Sequence, residues 1–289
     1  MRLVIENTLR TLSLQFDASL PWGSKEHYFH ALHGYLLPGL HHALVSGYDS
    51  VKFEDCGPLI QPRLVDSCVL LGLSYVPPHA SVDADVYCVP RWDRFLLHFD
   101  GPPPTASVID WYRSTVTPIL QLMQSNAQSS FPEFYKQFDR ETVAVIRRSD
   151  DHPFYHTARM ASFPAYGTGR TALINVEEVS LRLRSEGIAS QIVEFGAMSL
   201  AQQILVASRA RALVGIRGAE FANVIWMRPR AHAIMLATPG RDNHGTRTLA
   251  RIKCVQFSSI AVRAAKVCLD RADQTTIARI LRTTPTNMP

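Results

Sequence analysis

From Val143 to Ala237 the sequence switches repeatedly between short apolar runs and helix-length stretches, and this rhythm constrains the fold more than any other feature. Val143–Arg147 reads as a strand, Val176–Glu186 as a helix ending at Gly187, and Ser190–Phe195 as a strand. Ser199–Ser208 reads as a helix, Ala212–Ile216 as a buried strand, Ala219–Met227 as a helix and Ala233–Ala237 as a further strand. Strands alternating with helices of this length pair in parallel, because a parallel neighbour needs a crossover and a helix supplies it. The expected fold class is therefore α/β, with a doubly wound sheet in the C-terminal half.

The N-terminal half is less regular. Leu3–Phe16 alternates well enough for one long strand or a hairpin. After a loop at Asp17–Lys25, a helix is expected from Glu26 to Val45, capped by Ser24 and kinked or divided at Pro38. Short strands are expected at Val51–Glu54 and Asp85–Val89. Gly101-Pro102-Pro103-Pro104 breaks the chain, and a helix from Thr105 to Gln124 follows. Ser125–Phe138 is polar, carries Pro132 and reads as a linker, so the expected domains are residues 1–138 and 139–289. The last helix is expected over Asp270–Arg282.

Composition narrows the function classes. With 289 residues, 46% hydrophobic and 19% charged, the chain has material for two cores of ordinary size and is not a disordered tail. Arg2, Glu6 and Arg10 interrupt the first apolar stretch, so no signal peptide is expected. Ala31–Tyr48 is too polar for a membrane span. Five cysteines without a CxxC pair read as reduced thiols, which points to the cytoplasm. The formal charge of +5 suits an anionic ligand without choosing among nucleic acid, sugar nucleotide and acidic membrane surface.

One segment concentrates the chemistry. In Ala212–Met227 an apolar strand runs into a tight turn holding Arg217 and Gly218, and small residues open a helix. Ligands of open α/β sheets bind at such carboxyl ends. Free N–H groups at the helix start favour an anion, and Arg217 adds a positive fork. The plainer alternative is that the small residues only let helix and strand pack closely.

Ser199-Leu-Ala-Gln-Gln203, Val214-Gly-Ile-Arg-Gly-Ala219, Asn223 and Trp226-Met-Arg-Pro229 together resemble family 61 glycosyltransferases. That family typically shows an S-L-x-E-Q helix, then G-x-H-G-A-x-L-T-N and F-M-P-P. Arg147-Arg148-Ser149 is similar to its S-R element, Asn175-Val-Glu-Glu178 to its N-E-x-E helix start, and Tyr28-Phe-His30 with Leu36-Leu-Pro38 to its Y-F-H-W…L-P. The likeness is dense over Val143–Pro239 and thin before it. Two departures stand out: Arg217 replaces the family's histidine, and the acidic residue after the Tyr-Phe-His turn is lost near Gly34.

The resemblance implies a GT-B-like fold, two Rossmann-like domains facing across a cleft, with the donor held by the C-terminal one. It implies inverting transfer of xylose or N-acetylglucosamine from a UDP-sugar to a glycan hydroxyl, with neither a metal nor another cofactor. On that basis Arg217, Gly218, Ala219 and Glu220 would border the diphosphate, Arg147 or Arg148 would reach it, and Asn223 would buttress the loop. Glu194, Phe195 and Ser199 would face the nucleoside. The catalytic base would be His30, with Glu26, His27 and Asp55 behind it.

Other readings carry less. Gly167-Thr-Gly-Arg-Thr-Ala172 fits a dinucleotide pattern but follows no strand. His27, His30 and His33 recur on one helix and offer a possible metal face for a hydrolase, with Asp55, Asp150 or Asp151. Asp83-Ala-Asp85 imitates a metal-binding D-x-D and reads better as a solvated turn. No G-x-S-x-G elbow occurs. Arg228, Arg230, Arg241, Arg247, Arg251 and Lys253 are spread along expected loops without interleaved aromatics, which argues against nucleic acid. A non-catalytic module that binds nucleotide sugar remains a further alternative, and the oligomeric state is not written in the motifs.

Overall fold

The computed structural model describes residues 9–19, 23–97, 103–157, 160, 171–239 and 244–283. The readings made on residues 1–8, on Gly101 and Pro102, on Gly167–Arg170 and on Arg241 lie outside the described residues. The chain divides into two compact units, Met1–Trp92 and Asp93–Pro289.

In the first unit, β1 (Thr11–Phe16), β2 (Ser50–Lys52), β3 (Ser74–Val76) and β4 (Asp85–Val89) form a parallel sheet in the order β3-β2-β1-β4. Parallel pairing rules out a hairpin for β1 within the described residues. The order 3-2-1-4 is that of a Rossmann sheet, whose order reverses between its first and fourth strands. Leu12 and Leu14 of β1 are buried, as are Val51 of β2 and Val89 of β4.

The helix after β1 is continuous but not uniform. It runs through α1 (Tyr28–Ala31), a π-helical turn (Leu32–Leu36) and α2 (Leu37–Val45). Pro38 lies in the first turn of α2 and does not break the helix. The widened turn ahead of it, in which Leu37 N–H donates to Leu32 O, absorbs the misfit of a residue without an amide proton. Ser24 is not the cap expected of it. The residue preceding α1 is His27, and the Ser24 hydroxyl pairs with the Glu26 carboxylate instead. The sequence reading also missed β3 and the helix α3 (Gln61–Leu71). Leu64, Cys68 and Leu71 of α3 are buried at helical spacing, and Gly72 ends it at φ 70°.

The second unit opens with α4 (Asp93–Leu97), α5 (Ala106–Ser130) and α6 (Pro132–Gln137). The polar stretch 125–138 is thus helical for most of its length rather than a linker. Thr105 caps α5, its hydroxyl accepting from Val108 N–H at 3.4 Å. The division of the chain falls between Trp92 and Asp93, where the sequence reading drew 138/139. The reason is that α5 is fastened onto the C-terminal sheet's own helices and turns: Gln124 donates to Trp226 O at 2.8 Å and Arg113 to Ile252 O at 2.9 Å.

Five parallel strands follow: β5 (Val143–Ile146), β7 (Ser190–Val193), β8 (Ala212–Ile216), β9 (His232–Ala237) and β10 (Gln256–Ala261), in the order β10-β9-β8-β5-β7. β6 (Ala172–Leu173) and β11 (Lys266–Val267) form a separate parallel pair. The helices are α7 (Val176–Ser185), α8 (Leu200–Arg209), α9 (His244–Lys253) and α10 (Arg271–Thr283). Counted within the unit, the strand order is 2-1-3-4-5, the flavodoxin-like arrangement, and it reverses between β5 and β8. Every residue of β5, β8 and β9 is buried, and with Val179, Leu183, Ile277 and Leu281 of α7 and α10 they form a continuous core. Burial of apolar surface stabilises by about 25 cal/mol per Å², so this layer contributes to the unit's stability.

The helix expected over Ala219–Met227 is a 3-10 helix over Ala219–Trp226. The basic run expected in loops is corrected. Arg247, Arg251 and Lys253 stand on α9, whose buried Gly245, Leu249 and Ile252 give it an apolar face beneath the charges.

Candidate active site

The reversal between β5 and β8 places two arginine-bearing strand ends side by side. β5 and β8 pair directly, with Val145 opposite Val214. β5 therefore delivers Arg147 and Arg148, and β8 delivers Arg217 and Gly218, to adjacent positions on the carboxyl edge of the sheet. In a parallel sheet the two strands leave space at such an edge because their crossovers run in opposite directions.

Arg148 is the best-held side chain there. Its Nε donates to Glu220 Oε1 at 2.9 Å and its Nη2 to Glu220 Oε2 at 2.8 Å, a two-bond pair with side chains only 9% and 18% exposed. Nη1 reaches the Thr171 hydroxyl, and that hydroxyl donates to Arg217 O at 3.4 Å. Gly218 sits against this pair. A Cβ built there would stand 1.7 Å from Arg148 Nη2 and 2.3 Å from Glu220 Oε2. Gly218 is extended, at φ −176°, so the position excludes a side chain for lack of room and not for backbone strain. Arg217 donates its N–H to Leu236 O at 2.7 Å, which seats the turn on β9.

Ala219 and Glu220 begin the 3-10 helix, whose first N–H groups have no acceptors within it. Asn223 is fully buried and donates to Glu220 O at 3.1 Å and to Gln203 Oε1 at 3.2 Å, tying the turn to α8. Arg147 pairs with Glu177 in the first turn of α7. Beside the turn lies a cavity of about 160 Å³ lined by Thr171, Ile216, Arg217, Leu236, Thr238 and Ala265.

The residues expected near a nucleoside lie at the end of β7 and the start of α8. Ser199 is the cap of α8, its hydroxyl accepting from Gln202 N–H at 3.2 Å while Gln202 Oε1 accepts from Ser199 N–H at 3.0 Å. Phe195 is buried in the core, and Glu194 is half-buried at the end of β7. Asn175 anchors the loop after β11. It donates to Leu269 O and accepts from Leu269 N–H, both at 2.9 Å.

The first unit gathers its own polar residues at the carboxyl ends of β1, β2 and β4. Tyr35, fully buried, donates to Leu14 O at 2.6 Å and accepts from Glu54 N–H at 2.9 Å. Burial pushes its phenol far above the ordinary range. Lys25 pairs with Glu54, and Asp55 accepts from Gly57 N–H at 2.9 Å. Glu26 is buried beside Ser24. His30 stands at the reversal between β1 and β4 with a residue the sequence reading missed, Arg91. The position of a Cβ on Gly23, whose φ is 77°, lies 2.6 Å from both His30 Nδ1 and Arg91 Nη2. Arg91 is buried, packs over the Phe16 ring at 4.5 Å and donates to Asp17 O at 3.2 Å. Its place directly after β4 was the available signal.

Among the described residues no three His, Cys, Asp or Glu side chains converge as a ligand set. His33 is fully buried with its ring 4.9 Å from that of Phe29. Asp85 accepts from the Tyr48 hydroxyl at 2.8 Å and faces Arg10 at 3.8 Å. No helix among the described residues is long and apolar enough to cross a membrane.

No curated protein matches the sequence. A periplasmic metal-binding protein from Candidatus Liberibacter asiaticus aligns at 8% identity over 94% of this chain and 99% of its own, with a TM-score of 0.19. Its cadmium-bound structure aligns at 7% identity over the same shares, also with a TM-score of 0.19. Likeness at that level carries no argument. The profile of the family described as Glycosyltransferase 61, in contrast, matches residues 28–234, a span that takes in the turn at Arg217, the Arg148–Glu220 pair and the Tyr28–His30 segment. The chain belongs to glycosyltransferase family 61.

Proposed function

We propose that the protein is an inverting glycosyltransferase that needs no metal and moves a sugar from a UDP-sugar to a glycan hydroxyl, with xylose and N-acetylglucosamine the favoured sugars. The observation that carries this reading is the turn at Arg217–Ala219. In a chain of this family, it sets a positive side chain and the opening N–H groups of a helix beside Arg148 at the point where the strand order reverses. A leaving diphosphate develops charge there, and fixed donors stabilise it without reorganising. Arg217 and the Gly218 and Ala219 N–H groups hold the diphosphate, with Arg147 or Arg148 reaching the same oxygens. His30 takes the acceptor's proton, with Glu26 and Asp55 as the other candidates. A GT-B arrangement and a cytoplasmic site of action are parts of the same proposal.

The test is transfer from UDP-sugars to glycan acceptors in excess EDTA, beside calorimetric titration with UDP. Binding of UDP and transfer undiminished by EDTA are expected. Activity lost in EDTA and restored by manganese would overturn the metal-independent mechanism and return attention to Asp83 and Asp85. A second reading, a module that binds nucleotide sugar without turnover, is favoured by one departure, Arg217 in place of the family's histidine. Donor binding with no transfer to any acceptor would establish it.

A further inference from the structure

The Arg148–Glu220 pair poses a question about the donor site. Arg148 presents a planar fork at the reversal between β5 and β8, and both arms that face the turn are taken by one carboxylate, at 2.9 and 2.8 Å. That carboxylate belongs to Glu220, the acidic residue in the first turn of the Ala219–Trp226 helix. A guanidinium fork and a helix start each attract an anion, and the anion that occupies both belongs to the protein itself. The pair is not deep in the core. Glu220 is 18% exposed, and its backbone is held independently through Asn223, which donates to Glu220 O at 3.1 Å. The side chain can therefore swing away while the turn keeps its place.

We infer that Glu220 is an internal counter-anion that lowers the affinity of the donor site for every anion: its carboxylate holds the place on Arg148 that an incoming diphosphate takes. This rests on the proposed donor site at the turn. Every anion that engages Arg148 must first displace the carboxylate, a fixed cost common to all of them. A nucleoside diphosphate recovers that cost through its further contacts. Inorganic pyrophosphate lacks the nucleoside's contacts, so the same cost leaves it with the lower occupancy. Thr171 keeps Arg148 in position during the exchange, since its hydroxyl engages the third nitrogen.

The experiment compares wild type, Glu220→Gln, Arg148→Lys and the double variant by calorimetric titration with UDP, inorganic pyrophosphate and uridine. Glu220→Gln keeps the shape and removes the charge, so it should bind UDP and pyrophosphate tighter by roughly tenfold, with the same factor for both, and uridine without change. The gain should vanish in the Arg148→Lys background, where the two-armed fork is gone. Circular dichroism melts show whether each variant folds. If Glu220→Gln unfolds, Glu220→Asp takes its place: the shorter side chain loosens the two-bond contact to Arg148, so UDP and pyrophosphate should again bind tighter, and unchanged or weaker binding overturns the inference. Unchanged or weaker UDP binding by folded Glu220→Gln overturns the inference and makes Glu220 a structural brace. Wild type that binds neither UDP nor pyrophosphate overturns it together with the proposed donor site, and that result is distinct from the previous one.

Discussion

The guanidinium of Arg148 and the carboxylate of Glu220, 72 residues apart in the chain, meet through two hydrogen bonds of 2.9 and 2.8 Å in the space that a Cβ on Gly218 would take. This contact joins the ends of two neighbouring strands beside the turn on which the proposed donor site is built.

Gly218→Ala tests that contact by steric means. A methyl group at 1.7 Å from Arg148 Nη2 forces the pair apart or the turn outward, and backbone strain adds nothing. Overpacking of this kind costs about 1–3 kcal/mol. The variant should unfold at lower urea concentration and bind UDP at least about tenfold more weakly. Wild-type stability and affinity would mean that the turn adapts freely.

Arg217→Ala separates ligand binding from folding. Arg217 is half-buried and lines the cavity beside the turn, and its N–H bond to Leu236 O does not involve the side chain. A charge-assisted contact is worth about 1.5–3 kcal/mol. UDP affinity should fall about ten- to a hundredfold in calorimetry, with an unchanged melting profile. Unaltered UDP affinity would remove the diphosphate from this turn.

His30→Ala tests the base. Its Nδ1 shares the space over Gly23 with Arg91 Nη2, so the ring is held at the carboxyl edge of the first sheet. General-base catalysis predicts a loss of about 10²–10⁴ in kcat with UDP binding intact. Near-normal turnover would move the search to Glu26 and Asp55.

His232 makes stability depend on pH. It begins β9, its Nε2 lies 2.8 Å from Ser258 Oγ, and burial, aided by the charge of Arg211, pushes its pKa down to about 4. An unfolded histidine titrates near 6.5, so between these values the unfolded chain binds the proton that the folded one refuses. Stability should therefore fall as pH drops from about 6.5 to 4, by up to about 2 kcal/mol once solvent screening is allowed for, and level off below. Urea melts across that range should show the slope, and His232→Asn should flatten it.

The sequence was most legible where local patterning and burial coincide. Ala212–Ile216 and Asp85–Val89 were read with the bounds the structure gives them, and Ser199, Thr105 and Gly187 marked helix ends correctly. It was least legible where charge masked an apolar face. α9 passed for a basic loop because Arg247, Arg251 and Lys253 outweigh Leu249 and Ile252 in composition. The stretch 125–138 passed for a linker because Pro132 opens α6 rather than ending a helix.

The sequence by itself determined an α/β fold with parallel strands, the turn at Arg217–Gly218 and membership of the family, because these reside in local periodicity and short contiguous motifs. Only the tertiary structure decided that β5 lies beside β8 and β1 beside β4, which brings Arg148 to Glu220 and Arg91 to His30. Strand order depends on how whole layers bury their apolar faces together. No local propensity encodes which two strand ends become neighbours.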